Sequence, residues 1–281
     1  MKILLTGATG QVGFELSKIL PSRGELLALD RTRLNLSRPE AIAAVVRAAK
    51  PDLIVNAAAY TAVDRAESEP QLAMAVNGTA PGVLAEEAKR LGAALVHFST
   101  DYVFDGTKKG AYAEDDAVNP LNAYGRSKLA GERAVAQSGA RHLILRTSWV
   151  YDATRRNFLT TMLGLAKTRK ELRVVDDQRG APTWSGAIAV SVVQVLKQEW
   201  QGGIYHLTCA GETSWFGFTR AILDKARVAP RPALAPISSE EYPTPARRPG
   251  NSVLDNAKLV KTFNVSLPHW ESALEACLRG D

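Results

Sequence analysis

Tyr124 and Lys128 are the two residues of this sequence whose types and spacing most directly suggest acid–base chemistry. Residues four apart in a helix share one face, so this spacing places a lysine ammonium beside a tyrosine phenol. A nearby positive charge favours the phenolate and lowers the phenol pKa from about 10 toward neutral pH. Such a tyrosine can exchange a proton with a substrate oxygen. Alone, the pair is weak evidence, because many helix surfaces carry the same two residues.

A glycine-rich turn near the N-terminus gives the pair a context. Residues Lys2–Thr6 have the pattern of a short buried strand, and Gly7, Gly10 and Gly13 form a G-x-x-G-x-x-G run that leads into a helical pattern from Phe14 to Leu20. Glycines let the backbone approach phosphates closely, and the helix offers unpaired N–H groups at its N-terminus. The alternative is a chance glycine turn, but this order of strand, turn and helix is the one that a dinucleotide pyrophosphate needs.

An acidic residue at the end of the second predicted strand indicates where the adenosine ribose would bind. Asp30 follows Leu26–Leu29 and lies 20 residues after Gly10, where a carboxylate usually binds the ribose hydroxyls. A carboxylate repels a 2′-phosphate and therefore favours NADH. Arg31 and Arg33 could instead bind that phosphate, or they are solvated loop arginines. The sequence leaves NADH and NADPH as alternatives.

Strands and helices alternate through the first half of the chain. After the two strands already named, strands are predicted at 52–56, 94–98 and 143–146, and helices at about 39–49, 70–91 and from 124 onward. This alternation favours an α/β fold with a Rossmann-like, doubly wound parallel sheet. Ligands bind such sheets at the carboxyl ends of the strands. Thr100 and Trp149 follow strands and are therefore expected near the helix of Tyr124.

The pattern changes after residue 150, which suggests two domains. We predict a dinucleotide-binding domain at 1–150 and a smaller substrate-binding domain at 151–281 that returns some elements to the first. Prolines cluster between Pro230 and Pro249. We expect that stretch to form loops over a cleft rather than sheet.

The composition is that of an ordinary globular protein and argues against several classes. The chain has 281 residues, of which 46% are hydrophobic and 23% charged. No stretch approaches 18 uninterrupted apolar residues and no secretory signal is visible, so a cytoplasmic protein without a membrane span is expected. The net charge of +6 includes scattered arginine pairs without interleaved aromatic residues, which argues against a nucleic-acid partner. Cys209 and Cys277 form no metal-ligand or disulfide pattern.

Several segments together resemble the extended short-chain dehydrogenases/reductases and, more narrowly, the dTDP-4-dehydrorhamnose reductases. The glycine loop, the strand end Ser99–Asp101 and the Tyr124/Lys128 pair carry the wider resemblance. The narrower resemblance covers nearly the whole chain, at residues 7–13, 55–64, 99–104, 120–125, 146–151, 177–183 and 243–249. The last three segments are the specific ones, because a glycine loop alone shows only a nucleotide-binding fold.

The resemblance implies reduction of a sugar nucleotide by NADPH or NADH. The C4 keto group of dTDP-4-dehydro-6-deoxy-L-mannose (dTDP-6-deoxy-L-lyxo-4-hexulose) would become the hydroxyl of dTDP-L-rhamnose, in the last step of dTDP-rhamnose biosynthesis. By the same resemblance, Tyr124 donates a proton to the developing alkoxide, and Lys128 holds the nicotinamide ribose and lowers the Tyr124 pKa. Thr100 would hydrogen-bond the reacting oxygen, where many relatives have serine.

The motif and the resemblance also suggest the binding residues. The expected cofactor residues are Gly7, Gly10, Gln11, Val12, Gly13, Asp30, Arg31, Ala59, Tyr60, Thr61, Tyr124 and Lys128. The expected sugar-nucleotide residues are Thr100, Asp101, Trp149, Arg247 and Arg248. The two arginines suit a diphosphate because a guanidinium fork fits phosphate oxygens. Trp149 could stack on a sugar or base, or it could fill the core.

No metal ligand is assigned, although the resemblance raises the question of Mg²⁺. Some members of the family bind Mg²⁺ between subunits through carboxylates, and Glu15 matches one such position. The stretch 184–188 lacks the acidic residue of those relatives, which argues against a metal-bridged dimer. A homodimer without metal is compatible with the sequence.

Other functions fit parts of the pattern. A different sugar-nucleotide reductase or epimerase, or a dehydratase, would share the fold, but dehydratases of this superfamily carry an acid, typically glutamate, after Thr-Asp, where this chain has Tyr102. A non-catalytic regulatory subunit of the methionine adenosyltransferase type is the third alternative. Intact Tyr124, Lys128 and Thr100 favour an enzyme, so the sequence predicts the reductase first.

Overall fold

The structure is a computed structural model that describes residues 1–280, and a parallel sheet of six strands forms its centre. The strands of the chain are β1 Lys2–Thr6, β2 Glu25–Leu29, β3 Leu53–Asn56, β4 Ala94–Thr100, β5 Arg141–Thr147, β6 Val150–Tyr151, β7 Glu171–Val175, β8 Arg179–Gly180, β9 Thr183–Trp184, β10 Gly203–His206, β11 Thr213–Ser214 and β12 Ala233–Ile237. The central sheet has the order β10-β5-β4-β3-β1-β2.

Helices cover both faces of this sheet, as a doubly wound fold requires. They are α1 Gln11–Ile19, α2 Pro39–Ala49, α3 Val63–Ser68, α4 Pro70–Met74, α5 Ala80–Leu91, α6 Ala123–Gln137, α7 Phe158–Ala166, α8 Ser185–Val195, α9 Trp215–Lys225, α10 Ala257–Phe263 and α11 Trp270–Arg279. The Rossmann-like fold class expected from the sequence is confirmed.

The alternation of side chains along β1 shows how each face is filled. Leu5 belongs to the apolar cluster that contains Leu16 of α1 and Ile188 of α8, whereas Leu4 belongs to the cluster of α2 and α5. Successive strand residues point to opposite faces, so a strand buried on both sides must be apolar throughout. Residues Ile3, Leu4 and Leu5 are accordingly all buried.

The second half of the chain contributes both to the central sheet and to a separate layer. Strand β10 pairs in parallel with β5, and α8 packs against α1. Strands β7 and β12 form a two-stranded parallel sheet of their own. Leu172 and Val174 of β7 pack there with Leu223 of α9. Among the described residues 1–280, no helix is both long and apolar enough to cross a bilayer.

Two expectations about local structure are wrong. The helix expected at 70–91 is divided into α4, a π-helical segment Ala75–Thr79, and α5. Pro81 lies at the start of α5, and its ring nitrogen has no N–H to continue the α-helical hydrogen bonding. The proline-rich stretch also contains a strand, β12, which includes Pro236. A proline is tolerated there because each strand of a two-stranded sheet has one unpaired edge.

Candidate active site

Helix α6 carries Tyr124 and Lys128, and its N-terminus is fixed by two side chains. The Asn122 side-chain oxygen accepts from the Gly125 N–H at 2.8 Å, and Glu67 Oε1 of α3 accepts from the Ala123 N–H at 2.6 Å. The Asn122 amide also donates to the Arg247 carbonyl at 2.8 Å. These bonds satisfy donors that a helix end leaves open, and they fix a C-terminal loop beside the helix.

Tyr124 faces the end of β4, where Thr100 lies. Burial raises the pKa of the Tyr124 phenol, a hydrogen bond with the Thr100 side chain acts in the opposite direction, and the charge of Asp101 raises it further. The expected lowering of this pKa is therefore not seen. The physical reason is that the loss of water around the half-buried phenol outweighs the stabilisation of a phenolate. The phenol stays in its protonated form.

Lys128 lies deeper in the fold than Tyr124. The residue is 2% exposed, and its ammonium donates to the Phe98 carbonyl of β4 at 2.5 Å. Burial lowers the pKa of Lys128 to about 8, while Glu132 one turn further along α6 raises it. The buried ammonium therefore has one backbone partner on the sheet and one carboxylate near it on its own helix.

A chain of buried polar groups crosses the sheet beside Lys128. Thr6 donates to the Asn56 side-chain oxygen at 2.6 Å, and the Asn56 amide lies 3.0 Å from His97 Nδ1. These residues are register neighbours on β1, β3 and β4. Burial lowers the pKa of His97 well below its usual value, and the charge of Lys128 adds to that effect. His97 is therefore neutral, so its ring nitrogen can accept the Asn56 N–H.

Thr100 and Asp101 form the end of β4. The Thr100 hydroxyl donates to Asp101 Oδ1 at 3.0 Å and accepts from the Tyr102 N–H at 3.2 Å. Burial raises the pKa of Asp101 to about 6, and hydrogen bonds from Ser252 and Thr100 oppose that rise. The Tyr102 ring stands edge-on to the Tyr124 ring, with centroids 5.6 Å apart. The structure thus brings Tyr124, Thr100 and Asp101 together.

The glycine loop lies at the same edge of the sheet and has the close backbone packing that only glycine permits. Gly7 has φ +70°, and a Cβ there would lie 2.6 Å from the Ala58 nitrogen. A Cβ on Gly13 would lie 2.1 Å from the Gly7 carbonyl oxygen. Gly10 is the N-cap of α1 and provides no side chain to cap it. The first N–H groups of α1, which include those of Gln11 and Val12, are thus available to an anion.

A segment from the second half of the chain holds this loop from outside. The Gln11 amide donates to the Val150 carbonyl at 3.3 Å, and the Asn157 amide donates to Gln11 Oε1 at 3.0 Å. Arg155 donates to the Thr9 carbonyl at 3.0 Å, and its guanidinium lies 3.7 Å from the centre of the Phe14 ring. The Gln11 side chain is therefore a structural link, and nothing in the local pattern around Gln11 indicates it.

Asp30 ends β2, but its carboxylate is bound within its own loop. Oδ1 accepts from the Thr32 and Arg33 N–H groups, each at 3.0 Å, and from the Thr32 hydroxyl at 2.7 Å. Arg33 donates to the Ala28 carbonyl. The guanidinium of Arg31 is exposed, and its charge acts on the pKa of Tyr60. Of the two arginines, Arg31 is the one whose side chain lies near the loop after β3.

The loop after β3 contains Ala59, Tyr60 and Thr61, the last of which is exposed. Asn77, in the π-helical segment, accepts from the Tyr60 N–H at 2.8 Å and donates to the Tyr60 carbonyl and to Ser127 of α6, both at 3.0 Å. Sequence reasoning missed Asn77. A buried asparagine inside a predicted helix was the available signal, because π-bulges occur frequently at functional sites.

Trp149 follows β5 and lies in a slot between two residues of the second half. Its ring stacks on Trp215, with centroids 3.5 Å apart and planes 7° apart. On another side, a Cβ on Gly180 would lie 2.5 Å from the indole. Trp149 also has φ +47°, a conformation that costs a non-glycine residue about 1–2 kcal/mol. Trp215 was not predicted as a site residue, since nothing near it in sequence marks it.

The two arginines proposed for a diphosphate have different surroundings. Arg248 forms a two-pronged ion pair with Asp64, at 3.1 and 2.9 Å, and also donates to Thr244. Arg247 is exposed, and its side chain makes no hydrogen bond or ion pair within residues 1–280. Of these two arginines, Arg247 is the one whose guanidinium is free to bind a further anion.

The Glu15 carboxylate, which matches a metal-binding position of some relatives, is bound within its own helix. Both carboxylate oxygens of Glu15 accept from Lys18, at 3.0 and 2.9 Å. Within residues 1–280 there is no group of three or more histidine, cysteine, aspartate or glutamate side chains placed to hold a metal ion.

Comparison with known proteins gives a consistent family. The family described as "RmlD substrate binding domain" matches residues 1–280. The chain is 50% identical to the dTDP-4-dehydrorhamnose reductase of Burkholderia thailandensis, over 99% of this chain and 98% of that protein. The crystal structure of a dTDP-4-dehydrorhamnose reductase from Clostridium acetobutylicum is 38% identical, covers 99% of both chains and has a TM-score of 0.95. That of Bacillus anthracis, in complex with NADP, is 35% identical, covers 100% of this chain and 99% of its own, and has a TM-score of 0.94.

Proposed function

The chain belongs to the RmlD substrate binding domain family, and we propose that it reduces the C4 keto group of dTDP-4-dehydro-6-deoxy-L-mannose to give dTDP-L-rhamnose. The enzyme class is an oxidoreductase that uses NADPH or NADH. The names of the relatives support this reductase, and not a regulatory subunit or an epimerase.

One observation carries the proposal. Tyr124, Lys128 and Thr100 come from one helix and one strand end, and they lie at the edge of the sheet where the glycine loop also opens. A carbonyl held at this edge would meet a proton donor and a hydroxyl. When bound, the nicotinamide cofactor supplies the hydride.

The protonation states suit a general acid. Burial raises the pKa of Tyr124, so the phenol carries the proton that an alkoxide needs. The Thr100 hydroxyl donates its one proton to Asp101 in this structure, and it would rotate to donate that proton to the reacting oxygen when substrate is bound. Lys128 lies one turn further along the same helix, and its positive charge would offset the negative charge that develops on the phenol after proton transfer.

The cofactor fits the residues that the structure brings to this edge. The uncapped N–H groups at Gln11, Val12 and Gly13 suit a pyrophosphate. Gly10 places no side chain at this helix start, and Gly7 lets the loop pack closely against Ala58. Ala59, Tyr60 and Thr61 would lie further along the cofactor. Asp30 and Arg31 would face the adenosine ribose, and the exposed Arg31 guanidinium suits a 2′-phosphate.

The sugar nucleotide would lie between the strand ends and the C-terminal loop. The part of the Trp149 ring that Trp215 and Gly180 leave uncovered would lie against the sugar. Thr100 and Asp101 would contact the sugar, and Arg247 would bind the diphosphate. Arg248 would act there through its pair with Asp64, which holds the loop 244–248 beside α3.

We infer a cytoplasmic enzyme with a small-molecule partner, no nucleic-acid partner, and a homodimeric state that does not depend on metal. Sedimentation velocity with and without a chelator tests the last point, and a monomer, or a dimer lost on chelation, would contradict it.

An assay with authentic substrate tests the function. Purified protein is incubated with the 3,5-epimerised 4-keto sugar nucleotide and either NADPH or NADH, and the loss of reduced cofactor is followed. NMR of the product should show the C4 configuration of rhamnose. The absence of cofactor oxidation with both NADPH and NADH would overturn the proposal.

A further inference from the structure

A buried ion pair lies one turn further along α6 than Lys128. Glu132 of α6 and Arg146 of β5 bind each other through two hydrogen bonds, Nε to Oε1 at 2.8 Å and Nη2 to Oε2 at 2.7 Å. Their side chains are each 3% exposed. Removing two charges from water is costly, and such a pair often contributes little net stability compared with an apolar pair. Its presence therefore calls for an explanation other than stability.

The position of the pair suggests that explanation. Glu132 is one turn after Lys128, so the two side chains share a face of α6. Arg146 is the register neighbour of Ser99, the residue before Thr100. Its guanidinium also lies 5.1 Å from the centre of the Phe104 ring and donates to the Glu114 carbonyl at 3.4 Å. The pair thus connects the helix of Lys128 to the strand that neighbours β4.

We propose that Glu132, fixed by Arg146, is a positioning residue that holds α6 against the sheet and keeps the buried Lys128 in its charged form, which rests on the proposed role of Lys128. Arg146 donates to both carboxylate oxygens and so holds the Glu132 side chain in place. The charge of Glu132 in turn favours the Lys128 ammonium, which burial disfavours.

Other charged or titratable groups near α6 do not replace Glu132. His97 of β4 is neutral because it is buried, and Glu67 of α3 binds the Ala123 N–H at the far N-terminal end of the helix. Glu87 of α5 binds Arg47 of α2. The other titratable or charged residues of α6 and of the elements packed against it are Tyr124, Arg126, Arg133, Asp64, Arg65, Glu86, Lys89, Arg90, Asp101, Tyr102, Arg141 and His142.

A second buried carboxylate provides a matched control. Glu87 is 3% exposed and forms the same two-pronged pair with Arg47, at 2.8 and 2.7 Å, between α5 and α2. Glu87→Gln removes the same kind of interaction far from the strand ends. It should reduce thermal stability less than Glu132→Gln does, because the Arg47 side chain is 52% exposed and its guanidinium stays hydrated, whereas that of Arg146 is buried.

The experiment first measures the titration of Lys128 in the cofactor-free protein. It then measures the pH dependence of kcat in the enzyme supplied with cofactor and substrate. In protein labelled with ¹³C-lysine, NMR follows the Lys128 ε-carbon, assigned by its absence in Lys128→Met. In Glu132→Gln, the titration of Lys128 and the alkaline limb of kcat should both move about one pH unit lower, as expected for losing one nearby charge. Glu87→Gln should leave both unchanged, and Glu132→Asp should restore both toward the wild type.

The outcomes separate this inference from the proposed function. A Lys128 titration in Glu132→Gln that coincides with that of the wild type would overturn the inference, whatever the activity. If Glu132→Gln does not fold, the double variant Glu132→Gln/Arg146→Met, which leaves no unpaired buried charge, takes its place. Its Lys128 titration should still move lower, but by less than one pH unit, because the positive charge of Arg146 is removed together with the negative charge of Glu132. If the variants give the expected Lys128 titrations but the wild-type protein has no reductase activity, the proposed function is overturned and this inference is not.

Discussion

The indole of Trp149 lies flat on that of Trp215, with ring centroids 3.5 Å apart and planes 7° apart. Trp149 follows β5 of the central sheet and Trp215 begins α9, so the contact joins the two halves of the chain at the proposed sugar site. The backbone of Trp149 has a positive φ at this contact. Packing against Trp215 helps to hold a backbone conformation that the residue alone would disfavour.

Trp215→Leu should weaken substrate binding without affecting the cofactor. An aromatic pair contributes about 0.5–1.5 kcal/mol beyond its buried area, so the KM for the sugar nucleotide should rise about two- to tenfold. The dissociation constant for NADPH should stay unchanged. Trp200→Leu is the control, because Trp200 lies against Arg141, at the opposite end of β5 from Trp149. An unchanged KM in Trp215→Leu would mean that the indole pair does not support the substrate.

Tyr124→Phe should reduce kcat by about 100-fold or more, since general acid–base catalysis contributes on that scale. Cofactor affinity should stay close to that of the wild type, because the substitution removes the hydroxyl and keeps the ring. Steady-state kinetics and a fluorescence titration with NADPH measure the two quantities. Turnover equal to that of the wild type would show that another group donates the proton.

Gly13→Ala should prevent cofactor binding and destabilise the fold. Its Cβ would lie 2.1 Å from the Gly7 carbonyl oxygen, which is backbone and cannot move away cheaply. Gly164→Ala is the matched control, because a Cβ there has nothing within 4 Å in helix α7. Alanine is favoured over glycine in a helix by about 0.8–1.0 kcal/mol, so the control should be slightly stabilised. Urea unfolding and NADPH titration of both variants provide the comparison, and normal cofactor affinity in Gly13→Ala would contradict the geometry of the loop.

Stability should fall as the pH drops from about 6.5 toward 3, in part because of His206. Burial lowers the pKa of His206 to about 3, and the charge of Arg146 adds to that effect. The unfolded imidazole, with a pKa of about 6.5, takes up a proton in this range that the native state does not. One such group lowers the free energy of unfolding by up to about 1.4 kcal/mol per pH unit.

His206→Gln should therefore lose less stability than the wild type between pH 7 and pH 5. Urea unfolding at both values measures the difference. The control is His269→Gln, because His269 is exposed and its removal should leave the wild-type pH dependence in place. Equal pH dependence in His206→Gln and the wild type would show that the buried imidazole is not responsible.

The parts of this protein that the sequence determined are those set by local pattern. The glycine loop, the alternation of strands and helices, and the spacing of Tyr124 and Lys128 each depend on residues within a few positions of one another. Backbone sterics and side-chain periodicity act over that range, so fold class and the two central side chains were predictable. Helix α6 and strand β1 lie where the pattern placed them.

The tertiary structure determined the pKa shifts and the long-range contacts of those residues. The pKa of Tyr124 rises rather than falls, because desolvation depends on every group packed around the phenol and not on one lysine a turn away. Arg248 is bound by Asp64, 184 positions earlier, and Trp149 by Trp215. Asn77 and the Glu132–Arg146 pair matter through partners on other elements. Loss of hydration and long-range contacts arise only when the chain folds, so the spacing of neighbouring residues does not predict them.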